Sequence, residues 1–371
     1  MRIKVARDDL VRLLDTAKLV VETRKSMPVL SHVLLTSGEN DLVLRSTDLE
    51  VTYTGHCHAE VEDPGELCLP AKKLATLVKL MPAEHLQLEA VGGDVELTAA
   101  QVRYTLCARD AEDFPPGRPN TVLPIYLEDA AALRRALGRV AYAASEDKVR
   151  SNICGVHLEI MSDGAEHVLR LVATDGHRLA LADLELSAEE VPDLGAGLLL
   201  PTKSVSAMHR VLNEGTVTLG LSHNLVNLNA NGDLLEAIPL EHAYPDFTTV
   251  IPQEHKFRAI AAREALVEAI KRVEAMTNKE FGGVALSFTT GGLELSSSVP
   301  GEGAAAEHLE VEWQGEDLEV ALNPRYLREA CDRLEGDQVV LAFNDAASPV
   351  KVHSNAEVDA GCLAVIVPIS I

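Results

Sequence analysis

Leu69-Pro70-Ala71-Lys72-Lys73-Leu74 decides how this chain is read, because the pattern returns twice. It comes back as Leu200-Pro201-Thr202-Lys203-Ser204-Val205 and as Leu322-Asn323-Pro324-Arg325-Tyr326-Leu327. A proline near the first turn of a helix loses nothing, since that amide has no helical partner. Each copy therefore predicts a helix start, and the repeating unit that carries it is about 120 residues long.

Working outward, each copy is preceded by the same order of elements. Apolar residues spaced three and four apart predict an opening helix over Asp8–Val21, Glu128–Ala143 and Arg263–Met276. A pair of short strands follows each: Leu30–Thr36 with Leu42–Ser46, Gly155–Ile160 with Leu169–Ala173, and Gly283–Phe288 with Gly292–Ser297. Turn-forming pieces separate the strands, among them Ser162-Asp163-Gly164 and Thr290-Gly291-Gly292. Thr47-Asp48 recurs as Thr174-Asp175, and Asp113-Phe114-Pro115 is answered by Tyr244-Pro245-Asp246-Phe247. The expected fold is α+β: three repeated domains over 1–125, 126–254 and 255–371, each with two helices packed on antiparallel sheet.

Three like domains in a row suggest an arc, and two-fold dimers are the commonest way to close one. Twelve helices lining such a ring at ~9 Å spacing give a circumference of ~110 Å and a central hole of roughly 25 Å. A DNA duplex would pass through it. The charge runs against a simple DNA-gripping surface: the 371 residues carry a net charge of −24. A closed ring resolves that conflict, because linkage needs no strong phosphate affinity and tight contacts would stop sliding. The basic minority would face the hole, with Arg24, Lys25, Lys72, Lys73, Lys148, Arg150, Lys203 and Arg210 as candidates. The same residue types equally suit a solvated helix face.

Aromatic residues make up only 4%, which counts against base-stacking platforms. The six cysteines form no CxxC pair and read as free thiols of a reducing cytoplasm. No apolar run approaches the length of a membrane span, and Met1-Arg2-Ile3-Lys4-Val5 has no secretory signal. No GxxxxGK[ST] or GxSxG string occurs, so neither ATP hydrolysis nor a serine nucleophile is supported. His56-Cys57-His58 lacks a second ligand pair for zinc, and no cofactor is expected. Asp175 and His177 could serve an acid/base enzyme, but Asp175-Gly176 reads as a turn. A triplicated interaction scaffold with no DNA role is the other alternative.

Ala173-Thr174-Asp175-Gly176-His177-Arg178-Leu179-Ala180 closely resembles a string of the bacterial sliding clamps, the beta subunits of DNA polymerase III holoenzyme. The likeness spans the chain, through Met27-Pro28-Val29-Leu30-Ser31, Ser46-Thr47-Asp48-Leu49-Glu50, Glu112-Asp113-Phe114-Pro115, Tyr244-Pro245-Asp246-Phe247 and Val365-Ile366-Val367-Pro368. The resemblance implies a head-to-tail homodimeric ring around duplex DNA. It also implies an apolar groove for short peptides of the replicative polymerase, the clamp loader and repair proteins. The matching positions are Ile153, Thr174, Gly176, His177, Arg178, Leu179, Pro245, Val250, Val365, Ile366, Val367, Pro368 and Ile369. The dimer contact it implies would join Tyr104 and Leu106 to Ala275 and Met276, residues that pattern alone would place in the core. Three departures stand out: Thr249 where arginine is frequent, Val367 and Ile369 where methionine is common, and the Ser370-Ile371 ending in place of a basic one.

Overall fold

The computed structural model describes residues 1–24, 26–118, 124–164, 166–187, 190–278 and 282–369. Among the described residues there are six α-helices: α1 (Arg7–Val20), α2 (Ala71–Leu80), α3 (Ala130–Val140), α4 (Thr202–Val211), α5 (Arg263–Glu274) and α6 (Pro324–Asp332). The chain forms two compact units. Unit 1 is built from residues 1–134, 187–194 and 200–240, and unit 2 from 135–186, 195–199 and 241–371.

In unit 1 the long strand Val51–Asp63 is the hub. Arg2–Ala6, Asp41–Thr47 and Asp233–Ala237 all pair with it antiparallel. Val102–Cys107 ends the sheet on one side, pairing with Asp94–Ala99. α1 buries Leu10, Leu13, Leu14, Ala17 and Val20, a single stripe along its length. That stripe packs against the sheet, with α2 and α4 beside it. Asp8 and Asp9 in its first turn and Lys18 in its last complement the helix dipole.

Unit 2 carries an antiparallel run in the order Gly155–Asp163, Glu166–Thr174, Arg178–Leu186, Cys362–Ile366, Val350–His353, Gln338–Phe343, Phe257–Ala262. A second sheet orders Gly303–Leu309, Gly292–Val299, Val284–Thr289 and Leu318–Leu322. Its core gathers Leu266, Ile270 and Val273 of α5 with Phe288, Leu295, Leu341 and Phe343 of the strands. Such fully buried aliphatic and aromatic side chains contribute roughly 1.5–3 kcal/mol each.

The element order of the sequence reading is present, with local differences. Leu30 is not in a strand: Pro28–Ser31 is a 3-10 turn and the strand begins at His32. The proline pre-sets the backbone for that turn. The second opening helix starts at Ala130 rather than Glu128, after Asp129 accepts from the Ala131 amide at 2.8 Å, and finishes as a 3-10 turn over Ala141–Ala143. Pro70 and Pro201 sit one residue before their helices, whereas Pro324 is the first helical residue behind an Asn323 cap. Four cysteines are buried, but Cys107 is exposed on the edge strand and Cys154 is half-buried. Among the described residues no helix is long and apolar enough to cross a membrane, and no cluster of metal-ligating side chains forms.

Candidate functional site

The string singled out in the sequence is a tight turn between two strands of unit 2, Glu166–Thr174 and Arg178–Leu186. Thr174 and Asp175 build it with their side chains. Thr174 Oγ1 donates to the Arg178 carbonyl (2.6 Å) and accepts from the Gly176 amide (3.1 Å). Asp175 Oδ1 accepts from the amides of His177 (2.9 Å) and Arg178 (3.1 Å). Such side-chain turns satisfy backbone groups that the strands leave over. Gly176 sits at φ 90°, and a β-carbon there would lie 2.9 Å from Arg150 Nη1. Glycine is the residue that adopts this backbone freely.

The other oxygen of Asp175 accepts from Arg178 Nε at 3.0 Å. Both oxygens of this carboxylate are thereby used by the turn, so Asp175 is a structural residue and not a free acid or base. Arg178 points inward and is only 7% exposed. Its guanidinium also donates to Glu329 of α6 and to the Tyr142 carbonyl (2.7 Å), and lies over the rings of Tyr326 and Tyr142. Burial pushes the Glu329 carboxyl up, but hydrogen bonds from Arg178 and Arg325 outweigh that and hold it below the usual range. The sequence reading gave Arg178 the task of orienting a peptide; its donors are instead committed to fixing the turn. Glu329, Tyr142 and Tyr326 were not singled out there. Their one local signal is the i,i+4 pair of Arg325 and Glu329.

Beside the turn lies a preformed apolar floor. Leu179 and Val365 face each other across neighbouring strands and join Val172, Leu181 and Phe247 in one buried cluster. Tyr244 and Ile251 pack against it, and Tyr244 stacks on His157 at 4.6 Å between ring centroids. Burial raises the pKa of Tyr244. The end of the chain continues past the sheet: the Val367 amide donates to the His177 carbonyl (2.9 Å), and Ile369 to Ala321 (2.9 Å). Val367 is left 41% exposed and Ile369 38%, and Val250 stands out at 46%. His177 and Pro245 are exposed, Thr174 and Pro368 half-buried, and Ile153 and Ile366 buried. All thirteen groove positions belong to unit 2, eight of them exposed or half-buried beside the buried floor.

The basic candidates divide. Arg24 pairs with Glu22 (2.8 Å) and Arg150 with Asp147 (3.2 Å). Arg210 reaches Asp15 at 3.5 Å, and Lys203 pairs with the buried carboxylate of Asp48. Lys72, Lys73 and Lys148 are exposed and carry no ion pair among the described residues. Lys25 lies outside the described residues. Of the dimer candidates, Tyr104 is half-buried on the edge strand, Ala275 exposed and Met276 half-buried. Leu106 is a correction to the edge reading: it faces the core of its own unit and is buried, so little of it is left for a partner.

Helix pairs on antiparallel sheet, repeated along one chain and carrying this turn, define a DNA clamp. Family models match in order: the N-terminal domain of DNA polymerase III beta subunit over residues 1–118, the central domain over 129–246 and the C-terminal domain over 248–370. The Beta sliding clamp of Pseudomonas putida is 30% identical over 357 residues, covering 94% of each protein. That of Caulobacter vibrioides is 29% identical over 376 residues and covers both chains fully. Among solved structures, the sliding clamp of Bartonella birtlesii bound to griselimycin matches with a TM-score of 0.91 at 28% identity over the whole of both chains. The DNA polymerase III beta subunit of Thermotoga maritima matches with a TM-score of 0.89 at 26% identity, covering 100% of this chain and 99% of that one. The chain belongs to the DNA polymerase III beta subunit family, and its function is that of a DNA polymerase processivity factor.

Proposed function

We propose that two copies of this chain close head to tail into a six-domain ring around duplex DNA, and that unit 2 supplies the groove by which polymerase and other replication and repair proteins are tethered. The domains would run over 1–125, 126–254 and 255–371. The observation that carries the tethering role is the exposed aliphatic rim of Val250, Val367 and Ile369 beside the Leu179–Val365 floor. Apolar side chains left exposed around a preformed floor suit an extended peptide that inserts its own apolar residues. His177 and the half-buried Thr174 add polar contacts at its edge. Lys72, Lys73 and Lys148 hold the unpaired charge suited to weak, sliding contact with phosphates; the paired Arg24, Arg150, Lys203 and Arg210 could contribute only by exchanging partners. Tyr104 on the edge strand and Met276 after α5 would join the copies. The ring performs no catalysis and works in the cytoplasm.

One experiment tests both halves. The chain is loaded on nicked circular DNA by the clamp loader, then the circle is cut. Retention on the circle, release on linearisation and loss of polymerase stimulation in a Val250→Asp/Val367→Asp variant are expected, with polymerase affinity down about tenfold or more. Equal retention on linear DNA would overturn the ring, and unchanged polymerase affinity would overturn the groove.

A further inference from the structure

Sharing Leu181 and Phe247 with the apolar floor, unit 2 holds an open recess of about 440 Å³. Its walls are Phe247, Thr248, Ile251, Pro252 and Gln253 on one side and residues of the strands Arg178–Leu186, Val350–His353 and Cys362–Ile366 on the other. None of the groove positions lines it. The volume is within the range of small-ligand sites. Leu181, Leu363, Phe247 and Ile251 give it an apolar side.

The charges on its walls are unequal in their freedom. Asp183 is matched by Arg170 in a two-pronged pair at 2.8 and 2.7 Å. Asp359, fully buried, accepts from the amides of Glu335 (3.0 Å) and Gly336 (2.8 Å) and from Arg139 (2.6 Å). Both carboxylates are therefore spent. Lys351 lines the recess without an ion pair or side-chain hydrogen bond among the described residues. In a chain of net charge −24, a recess with matched acids and a spare ammonium selects for an anion. A lone ammonium over an apolar wall fits one carboxylate on a short hydrocarbon body. The other donors on its walls are largely engaged, Arg170 with Asp183, Thr248 with Asp246 (2.6 Å) and Gln253 with the Ile251 carbonyl (3.2 Å), which leaves few to converge on a phosphate group.

We propose that this recess is a binding site for a small monocarboxylate with an apolar body, anchored by Lys351. The carboxylate would belong either to a free organic acid or to the end of a protein chain. The test is ligand-observed saturation-transfer NMR on the full chain with 4-methylpentanoate, its neutral amide and N-acetylleucine. The acid should bind about fivefold or more tightly than the amide, and Lys351→Met should remove that preference while Lys351→Arg keeps it. Tighter binding of N-acetylleucine than of 4-methylpentanoate assigns a chain end, and the reverse order assigns a free acid; either outcome supports the site. Equal binding of acid and amide, no saturation transfer to the acid, or a preference that survives Lys351→Met would overturn it. Polymerase stimulation by Lys351→Met reads the groove separately, because Lys351 is not part of it.

Discussion

The turn Thr47–Val51 in unit 1 and the turn Thr174–Arg178 in unit 2 have the same wiring and opposite finishes. Thr47 Oγ1 donates to the Val51 carbonyl (3.0 Å) and accepts from the Leu49 amide (3.0 Å), as Thr174 does with Arg178 and Gly176. Asp48 Oδ1 takes the amides of Glu50 (2.9 Å) and Val51 (2.7 Å), as Asp175 takes those of His177 and Arg178. In both, a residue just past the returning strand closes onto the fourth turn residue: Ile238 onto Glu50 (3.0 Å) and Val367 onto His177 (2.9 Å). The finishes differ at two points. In unit 1 Arg118 donates to the Leu49 carbonyl, four residues after Phe114. In unit 2 the residues after Phe247 leave the turn uncovered, and among the described residues the Gly176 carbonyl receives no such donor. The second oxygen of Asp48 reaches across to Lys203 on α4, while that of Asp175 stays with Arg178 in its own turn. One duplicated frame thus yields a sealed corner and an open groove, and a few side chains decide which.

Arg178 is where breaking the comparison should cost most. Its removal leaves Asp175 without its cation, Glu329 with Arg325 alone and the Tyr142 carbonyl without a donor. Losing one partner of a buried ion pair costs about 3–5 kcal/mol. Arg178→Ala should destabilise unit 2 by roughly that amount in urea unfolding followed by Trp313, the sole tryptophan and a unit 2 residue. Arg178→Lys should recover only part, because an ammonium cannot serve three acceptors in a fork. A change under about 1 kcal/mol for Arg178→Ala would mean that the pairing seen around it contributes little.

The residue at the left-handed position sharpens the contrast at lower cost. Gly176 holds φ 90° and Leu49 holds φ 80°. A side chain at such a backbone angle costs about 1–2 kcal/mol. Gly176→Ala should therefore destabilise unit 2 by about that much, most of it backbone strain, since the tip of Arg150 can move aside. Leu49→Gly should do the reverse and stabilise unit 1 by up to about 1 kcal/mol, less what the half-buried leucine side chain contributes. Amide exchange in each unit measures both. Equal signs for the two substitutions would break the equivalence of the turns.

The frame was legible in the sequence because its marks are local. Proline-marked helix starts, helical stripes and the Thr-Asp pairs all declare themselves within a few residues. The apolar groove positions came through resemblance, and the structure brings them together in one unit. Long-range pairing stayed hidden. Lys203 looked like a DNA-facing cation, yet its partner Asp48 is 155 residues away. Arg178 looked like a peptide contact, yet Glu329 is 151 residues away. Leu106 shares a strand face with the half-buried Tyr104 and Val102, but at Leu106 that face meets the core of its own unit. Periodicity states which residues share a face; it does not state which cation a carboxylate will find.

Titration of two carboxyls should move the turns in opposite directions as well, by less. Glu236 beside the sealed corner is 4% exposed, and its Oε1 has no hydrogen-bond partner. Burial raises its pKa, and Arg118 and Arg45 offset this only in part. For Glu329 the bonds from Arg178 and Arg325 win, and the pKa is lowered. A carboxyl lowered in the fold adds stability that is present above its unfolded value, about 4.3, and is lost as pH falls through the folded value. A carboxyl raised in the fold adds stability that is present below its unfolded value and is lost as pH rises through the folded one. Acid should therefore weaken the open turn while relieving the sealed corner. At pH 7 Glu329→Gln should destabilise unit 2, and Glu236→Gln should stabilise unit 1, each by about 1 kcal/mol, the first because solvent screens part of the Glu329 pairing and the second because Arg118 and Arg45 offset part of the burial. Both differences should fade as the pH is lowered toward 3. Urea unfolding read by Trp313 reports the first, and exchange of the unit 1 amides reports the second. Effects of the same sign would mean that Arg45 and Arg118 satisfy Glu236 as fully as Arg178 and Arg325 satisfy Glu329, and the sealed corner would no longer be the strained member of the pair.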